Sequence, residues 1–102
     1  MKVTNKQEIL SLLKENNNRL MQLGVRKVGV FGSFITNEQQ EDSDVDLLVE
    51  FSKDKKNFNN FMGVAELTET ILGRKVDLLT PESLSPYIAP HIQNNIEYVQ
   101  IA

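Results

Sequence analysis

Apolar residues recur at mostly helical spacing early in the chain: Ile9, Leu10, Leu12, Leu13, Leu20, Met21 and Leu23. The pattern predicts a helix over 5–22. Thr4 followed three residues later by Gln7 resembles a capping box, and Gly24 supplies the stop. The Asn16-Asn17-Asn18 run weakens this helix and suits its wet face. Period-two or continuous apolar runs then predict strands over 26–31 (RKVGVF) and 45–51 (VDLLVEF). A second helix is expected over 58–72, with Phe58, Phe61, Met62, Ala65, Leu67 and Leu72 partly buried and Gly73 ending it. A third strand is expected over 74–79 (RKVDLL). Thr80-Pro81-Glu82 reads as a helix start, with Thr80 as cap and Pro81 at the first helical position. Pro86 and Pro90 interrupt the C-terminal stretch, and 90–98 reads as a last short helix. The polar stretches 36–43 and 52–60 are loops.

The resulting order, α-β-α-β-α-β-α, implies an α/β (α+β) fold: a small mixed sheet of about three strands with helices packed against it. The 102 residues suffice for one domain, spanning 1–102, and not two. At 40% hydrophobic and 25% charged residues the composition is that of an ordinary globular chain. A net charge of −3 argues against broad direct nucleic-acid binding, which needs a basic surface. With no cysteine there is neither a disulfide framework nor a thiolate zinc site. No apolar run nears the ~20 residues of a membrane span and the start MKVTNKQEIL has no signal-peptide pattern, so a cytoplasmic protein is expected.

The chemistry concentrates in GSFITNEQQEDSDVDLLVEF, residues 32–51. Strand side chains alternate, so Val45, Leu47, Val49 and Phe51 share one wholly apolar face. Asp44, Asp46, Leu48 and Glu50 share the other. Asp44 and Asp46 then stand about 7 Å apart by strand rise. If the second and third strands are neighbours, Asp77 lies beside Asp46 and three carboxylates converge. Two like charges ~4 Å apart repel by about 4 kcal/mol at an effective dielectric of ~20. Three such pairs approach the whole ~5–15 kcal/mol stability of a domain. Such a cluster needs protonation, a basic partner or a cation, and an all-oxygen donor set suits Mg²⁺ or Mn²⁺. A bare Asp-x-Asp is as readily a solvated strand end. Here the context is richer: Gly32-Ser33 follows a strand, where glycine lets a phosphate approach the backbone and Ser33 adds a hydroxyl donor.

Gly32-Ser33, ten intervening residues, Asp44-Val45-Asp46 and the later Asp77 in RKVDLLT together resemble the minimal nucleotidyltransferase (MNT) domains of the polymerase-β-like superfamily. The resemblance extends to SDVDLLVEF, to the leading helix before VGVFGS and to VDLLTPESL, so it covers nearly the whole chain. It implies Mg²⁺-dependent transfer of a nucleoside monophosphate, with two ions expected and Mn²⁺ an alternative. It implies Asp44, Asp46 and Asp77 as metal ligands and catalytic residues, with Asp77 helping to deprotonate the acceptor. Gly32 and Ser33 would hold the β- and γ-phosphates of ATP. Chains of this size in the family resemble antitoxins paired with a helical HEPN-family toxin, some of which transfer AMP to a toxin tyrosine; the implied system is a type VII toxin–antitoxin pair.

One departure stands out. Many relatives read GSxARG, whereas here Thr36 occupies the arginine position and Asn37 the following glycine. A cation is missing from the motif, with Lys53, Lys55 and Lys56 in the next loop reading as a solvated charge run. This leaves a second reading open: a module of the same fold that neutralises its partner by contact, without catalysis. His91, the one histidine, reads as a surface or packing residue. Tyr87 and Tyr98, with Ile88, Ile92, Ile96 and Val99, read as the seal of the core's end or a partner surface. Phe51, Phe58 and Phe61 read as core aromatics, with the border of a base pocket as the alternative for one of them; Glu50 reads as a carboxylate further along the aspartate face, with a metal role as the lesser reading, and Phe34 as either packing or partner contact.

Overall fold

The computed structural model describes residues 2–102. Helices α1 (Lys6–Glu15) and α2 (Asn17–Gln22) lead into β1 (Val25–Phe31), a one-turn α3 (Ser33–Thr36) and β2 (Val45–Phe51). Helix α4 (Phe58–Leu72), β3 (Val76–Leu79), a single 3-10 turn (Pro81–Ser83), α5 (Ala89–Gln93) and β4 (Glu97–Gln100) complete the chain. The four strands form one mixed sheet in the order β3-β2-β1-β4. Strand β1 is antiparallel to both β2 and β4, and β2 is parallel to β3. The α+β architecture and the predicted β2 and α4 boundaries match the sequence reading residue for residue.

The core lies on one side of the sheet. Val45, Leu47 and Val49 of β2 are wholly buried there with Val28 and Val30 of β1, Ile9 and Leu13 of α1, Leu20 of α2, and Val64 and Leu72 of α4. Helix α4 starts at Asn57, whose side chain accepts from the Asn60 amide, and stops at Gly73, which takes the left-handed φ of 67°. Phe61 and Leu67 pack as expected. Phe58 and Met62 do not: Phe58 is 77% exposed and Met62 is also exposed. Met62 falls about 100° round the helix from Phe61. Phe58 borders an open apolar cleft of about 420 Å³ with Phe61, Leu78 and Leu79.

Four further differences from the sequence reading have local causes. The helix expected over 5–22 is divided at Asn16, whose side-chain amide donates to Leu12 O at 2.8 Å and so competes with the backbone. Its cap is Asn5, not Thr4: Asn5 Oδ1 accepts from the Glu8 amide at 2.9 Å, and the Glu8 carboxylate accepts from Thr4 N and Oγ1. These bonds from Thr4 hold the Glu8 carboxyl below its ordinary pKa. The start at Thr80-Pro81 is a capping box with Ser83, but it yields only a 3-10 turn, because Leu84 returns to extended backbone ahead of Ser85-Pro86. Lastly, 90–98 is not one helix. α5 ends at Gln93, and residues 97–100 form a fourth strand against β1, with Gly29 opposite Tyr98 and Val28 opposite Val99. Four residues carry too little alternation to announce a strand whose partner lies about 70 positions earlier.

Replacing Asn5 by alanine removes the cap acceptor and should cost about 1 kcal/mol. Urea denaturation monitored by far-UV circular dichroism checks this, and an unchanged midpoint would show that Glu8 alone holds the helix start.

Candidate active site

Strand β1 ends at Phe31, which faces Asp46 across the antiparallel ladder. The next residue, Gly32, turns the chain with φ 77° and ψ −149°, a region essentially reserved for glycine. Space makes the same demand: a Cβ on Gly32 would stand 2.1 Å from Asp46 Oδ2 and 3.0 Å from its Cγ. Two independent constraints therefore keep this position bare, and the glycine backbone lies directly against the aspartate carboxylate. The amides of Ile35 and Thr36 both donate to Gly32 O, at 3.0 and 3.1 Å. The amides of Ser33 and Phe34, ahead of them in the turn, meet no acceptor among the described residues. Ser33 is half-buried, and Phe34 is buried, so its role is packing.

The turn ends at Asn37 in the left-handed conformation, φ 62°. This explains one half of the departure from the GSxARG pattern, since asparagine is among the few residues that accept a position otherwise suited to glycine. Thr36 is a real loss. It is exposed, and its hydroxyl has only long contacts, 3.4 Å, to Gly32 O and Ser33 O. Lys53, Lys55 and Lys56 are exposed as expected, with Lys56 3.4 Å from Glu82.

Asp44 stands exposed one residue before β2, and Asp46 is half-buried within it. The parallel register sets Asp46 directly beside Asp77 and Val45 beside Val76, with Val45 N donating to Lys75 O at 3.0 Å. The expected neighbourhood of the three carboxylates is thus present in the backbone. Their side chains are less gathered than the strand spacing alone implies: among the described residues no three His, Cys, Asp or Glu side chains are drawn to a common metal-binding point. Burial, then Asp77, then Asp44 push the Asp46 carboxyl up to about 6. No described lysine or arginine pairs with any of the three. The donor set is hard oxygen and none of its carboxylates is ion-paired among the described residues, so these residues fit a divalent cation such as Mg²⁺.

Other sequence candidates fall away from this centre. Glu50 is engaged by Arg26 and, at 3.4 Å, by Lys27. His91 is exposed on α5. Ile92 and Val99 close the end of the core, while Tyr87 is 88% exposed and Tyr98 lies under Lys27, 4.1 Å from its ring centroid. Sequence reasoning missed Arg74. The apolar pattern makes it the first residue of a strand, but it lies ahead of β3, buried, with its guanidinium donating to the carbonyls of the loop that leads into Asp44. A buried cation without a carboxylate partner has no signature in a single sequence.

Gly32→Ala should lower stability by about 1–3 kcal/mol through backbone strain alone. It should also drive the Asp46 side chain aside, visible as a shifted Asp46 carboxyl resonance in ¹³C spectra. The raised Asp46 pKa has a definite sign. Its favourable contribution is complete below the ordinary carboxyl value of 3.8 and is lost as pH rises through about 6. Without divalent ions, Asp46→Asn should therefore be more stable than the parent at about pH 7.5, by about 1–2 kcal/mol after allowance for solvent screening. That gain should vanish near pH 4, as paired thermal melts would show.

Comparison with known proteins identifies the family and the fold. The nucleotidyltransferase domain profile matches residues 7–99. The chain is 39% identical over 94 residues to the protein adenylyltransferase MntA of Thermococcus cleftensis, covering 91% of this chain and 94% of that protein. A solved structure provisionally named a minimal nucleotidyltransferase superposes with a TM-score of 0.69 at 27% identity, over 86% of this chain and 93% of the other. Two toxin–antitoxin structures share the fold. One holds AMP-PNP, with a TM-score of 0.65 at 22% identity over 93% of this chain and 72% of the other. The second is an MNT antitoxin in complex with a tri-AMPylated HEPN toxin of Shewanella oneidensis, with a TM-score of 0.54 at 19% identity over 83% and 69%. A family profile over most of the chain and a relative 39% identical over nearly its whole length place it plainly: the chain belongs to the nucleotidyltransferase domain family, as a nucleotidyltransferase of the minimal, MNT type.

Proposed function

We propose that this chain transfers AMP from ATP to a hydroxyl of a HEPN-family toxin and is the antitoxin of a type VII toxin–antitoxin pair. The observation that carries the reading is the register pair Asp46–Asp77 beside a glycine that only a bare backbone can occupy. The MntA relative is named for protein adenylylation, and the tri-AMPylated HEPN toxin complex has the same fold. In this reading the Ser33 hydroxyl and the unpartnered Ser33 and Phe34 amides receive the β- and γ-phosphates. Asp44, Asp46 and Asp77 hold Mg²⁺, which when bound neutralises the triphosphate and polarises the reacting phosphate. Asp77, exposed beside Asp46, takes the proton of the acceptor hydroxyl. The acceptor oxygen forms a bond to the α-phosphorus, the bond from that phosphorus to the bridging oxygen breaks, and pyrophosphate leaves with the electron pair. Raised Asp46 basicity suits cation binding above pH 6, where the carboxyl is ionised.

The reading places one domain over 1–102 in the cytoplasm. No helix among the described residues is long and apolar enough to cross a membrane, and the net charge of −3 argues against broad direct nucleic-acid binding. Thr36 supports the second reading, neutralisation by contact alone, because it brings no cation to the turn.

Intact-mass spectrometry separates the two. A HEPN protein from the same genome is incubated with this chain, ATP and Mg²⁺, beside an Asp44→Asn/Asp46→Asn control. Stepwise addition of AMP with the parent, reduced at least about 100-fold by the double substitution, is expected. Equal AMP transfer by the double variant would sink the mechanism. A stable complex with either version and no added mass would favour contact alone.

A further inference from the structure

Arg74 is the only charged residue buried among the described residues, at 8% exposure. None of the described carboxylates comes within ion-pair distance of it. Its charge is met by backbone instead. Nε donates to Val3 O at 2.7 Å. One terminal nitrogen donates to Gln40 O at 3.2 Å, Glu41 O at 3.1 Å and Ser43 O at 2.8 Å. The guanidinium carbon lies 5.1 Å from the centroid of the Phe34 ring. Three of these groups neighbour site residues in the chain. Ser43 precedes Asp44, Phe34 follows Ser33, and Arg74 itself stands three residues before Asp77. The segment at Val3 is fixed in turn, with Val3 N donating to Leu72 O at 3.0 Å and Thr4 O accepting from Gln39 Nε2 at 3.1 Å.

We infer that Arg74 is a positioning residue that locks the phosphate turn, the loop entering the Asp44-x-Asp46 strand and the chain entering the Asp77 strand into one register, by way of one guanidinium shared among Val3, residues 40–43 and the Phe34 ring. The arrangement exploits what arginine alone offers. A planar fork can donate in two directions while its face rests on a ring; a lysine ammonium has one centre and cannot span both carbonyl groups and the ring. The cation is bound to carbonyl oxygens and pairs with none of the three carboxylates, so their charge remains for a metal ion and triphosphate to meet. The inference rests on the nucleotidyl-transfer reading for what the locked groups bind, but the bracing itself is independent of it.

The full chain is compared with Arg74→Lys, with Phe34→Leu and with Asp44→Asn/Asp46→Asn, using Mn²⁺ with AMP-PNP as the binding probe in calorimetry and amide hydrogen exchange as the local probe. Arg74→Lys should remain folded and lose about 10- to 100-fold in Mn²⁺-dependent AMP-PNP affinity. Its exchange should accelerate at residues 33–36 and 43–45 while the α4 amides stay protected. Phe34→Leu, which removes the ring beneath the guanidinium, should move both readouts in the same direction by less, and it decides the matter if Arg74→Lys does not fold. Wild-type affinity and unchanged local exchange in Arg74→Lys would overturn the inference. So would acceleration spread evenly over the sheet and α4, which marks a general stability residue. If the parent shows no Mn²⁺-dependent AMP-PNP binding beyond that of the double aspartate variant, the nucleotidyl-transfer reading fails, and the location of the exchange change still decides whether Arg74 braces these segments.

Discussion

The pairing of β2 between β1 and β3 is the constraint on which the site depends. Antiparallel register to β1 sets Asp46 opposite Phe31, so that the turn after β1 lands on the carboxylate. Parallel register to β3 sets the same residue beside Asp77. A slip of one residue in either ladder would turn Asp46 toward the helices and Val45 toward solvent, because side chains alternate across a sheet. The apolar face of β2 forbids that slip: Val45, Leu47 and Val49 are wholly buried against the helical layer. Hydrophobic burial on one side thereby holds the aspartates in line on the other.

That arrangement concentrates negative charge in one place. The Asp46 carboxyl is raised to about 6 by burial and by its two neighbours, and none of the three aspartates is ion-paired among the described residues. Lys27 and Arg26 attend Glu50, and Arg74 is bound to backbone carbonyls. Electrostatic strain of this kind is what makes the cluster a candidate functional centre, and it is the ground on which cation binding is proposed. The same logic makes Gly32 and Asp46 a matched pair, one giving up its side chain so that the other's carboxylate can stand beside the backbone.

Much of this was legible in the chain. Gly32-Ser33 with Asp44-Val45-Asp46 carries the family resemblance, and the seven-residue β2 and the fifteen-residue α4 have patterns long enough to define their ends. Legibility failed where the signal was short or non-local. Residues 97–100 are a strand because β1 offers an open edge, not because EYVQ insists on one. Asn16 divides a helix whose apolar spacing runs on past it, and its side-chain amide shares Leu12 O with its own backbone N–H. Thr36 and Asn37 form one departure from a motif in sequence and two in structure: Asn37 meets a backbone requirement, and Thr36 leaves a charge unsupplied.

The sequence by itself determined the apolar and acidic faces of the second strand, the glycine that must come after the first, the third carboxylate in a later strand, and the family to which such a set belongs. These are properties of residue type and spacing along a few contiguous positions. Only the tertiary structure decided which strands are neighbours, how far the carboxylates are drawn together, and that Arg74, seventy-one residues from Val3 in sequence, joins the chain start to the loop before Asp44. Such contacts depend on which distant segments the packed core brings together, and no local pattern encodes them.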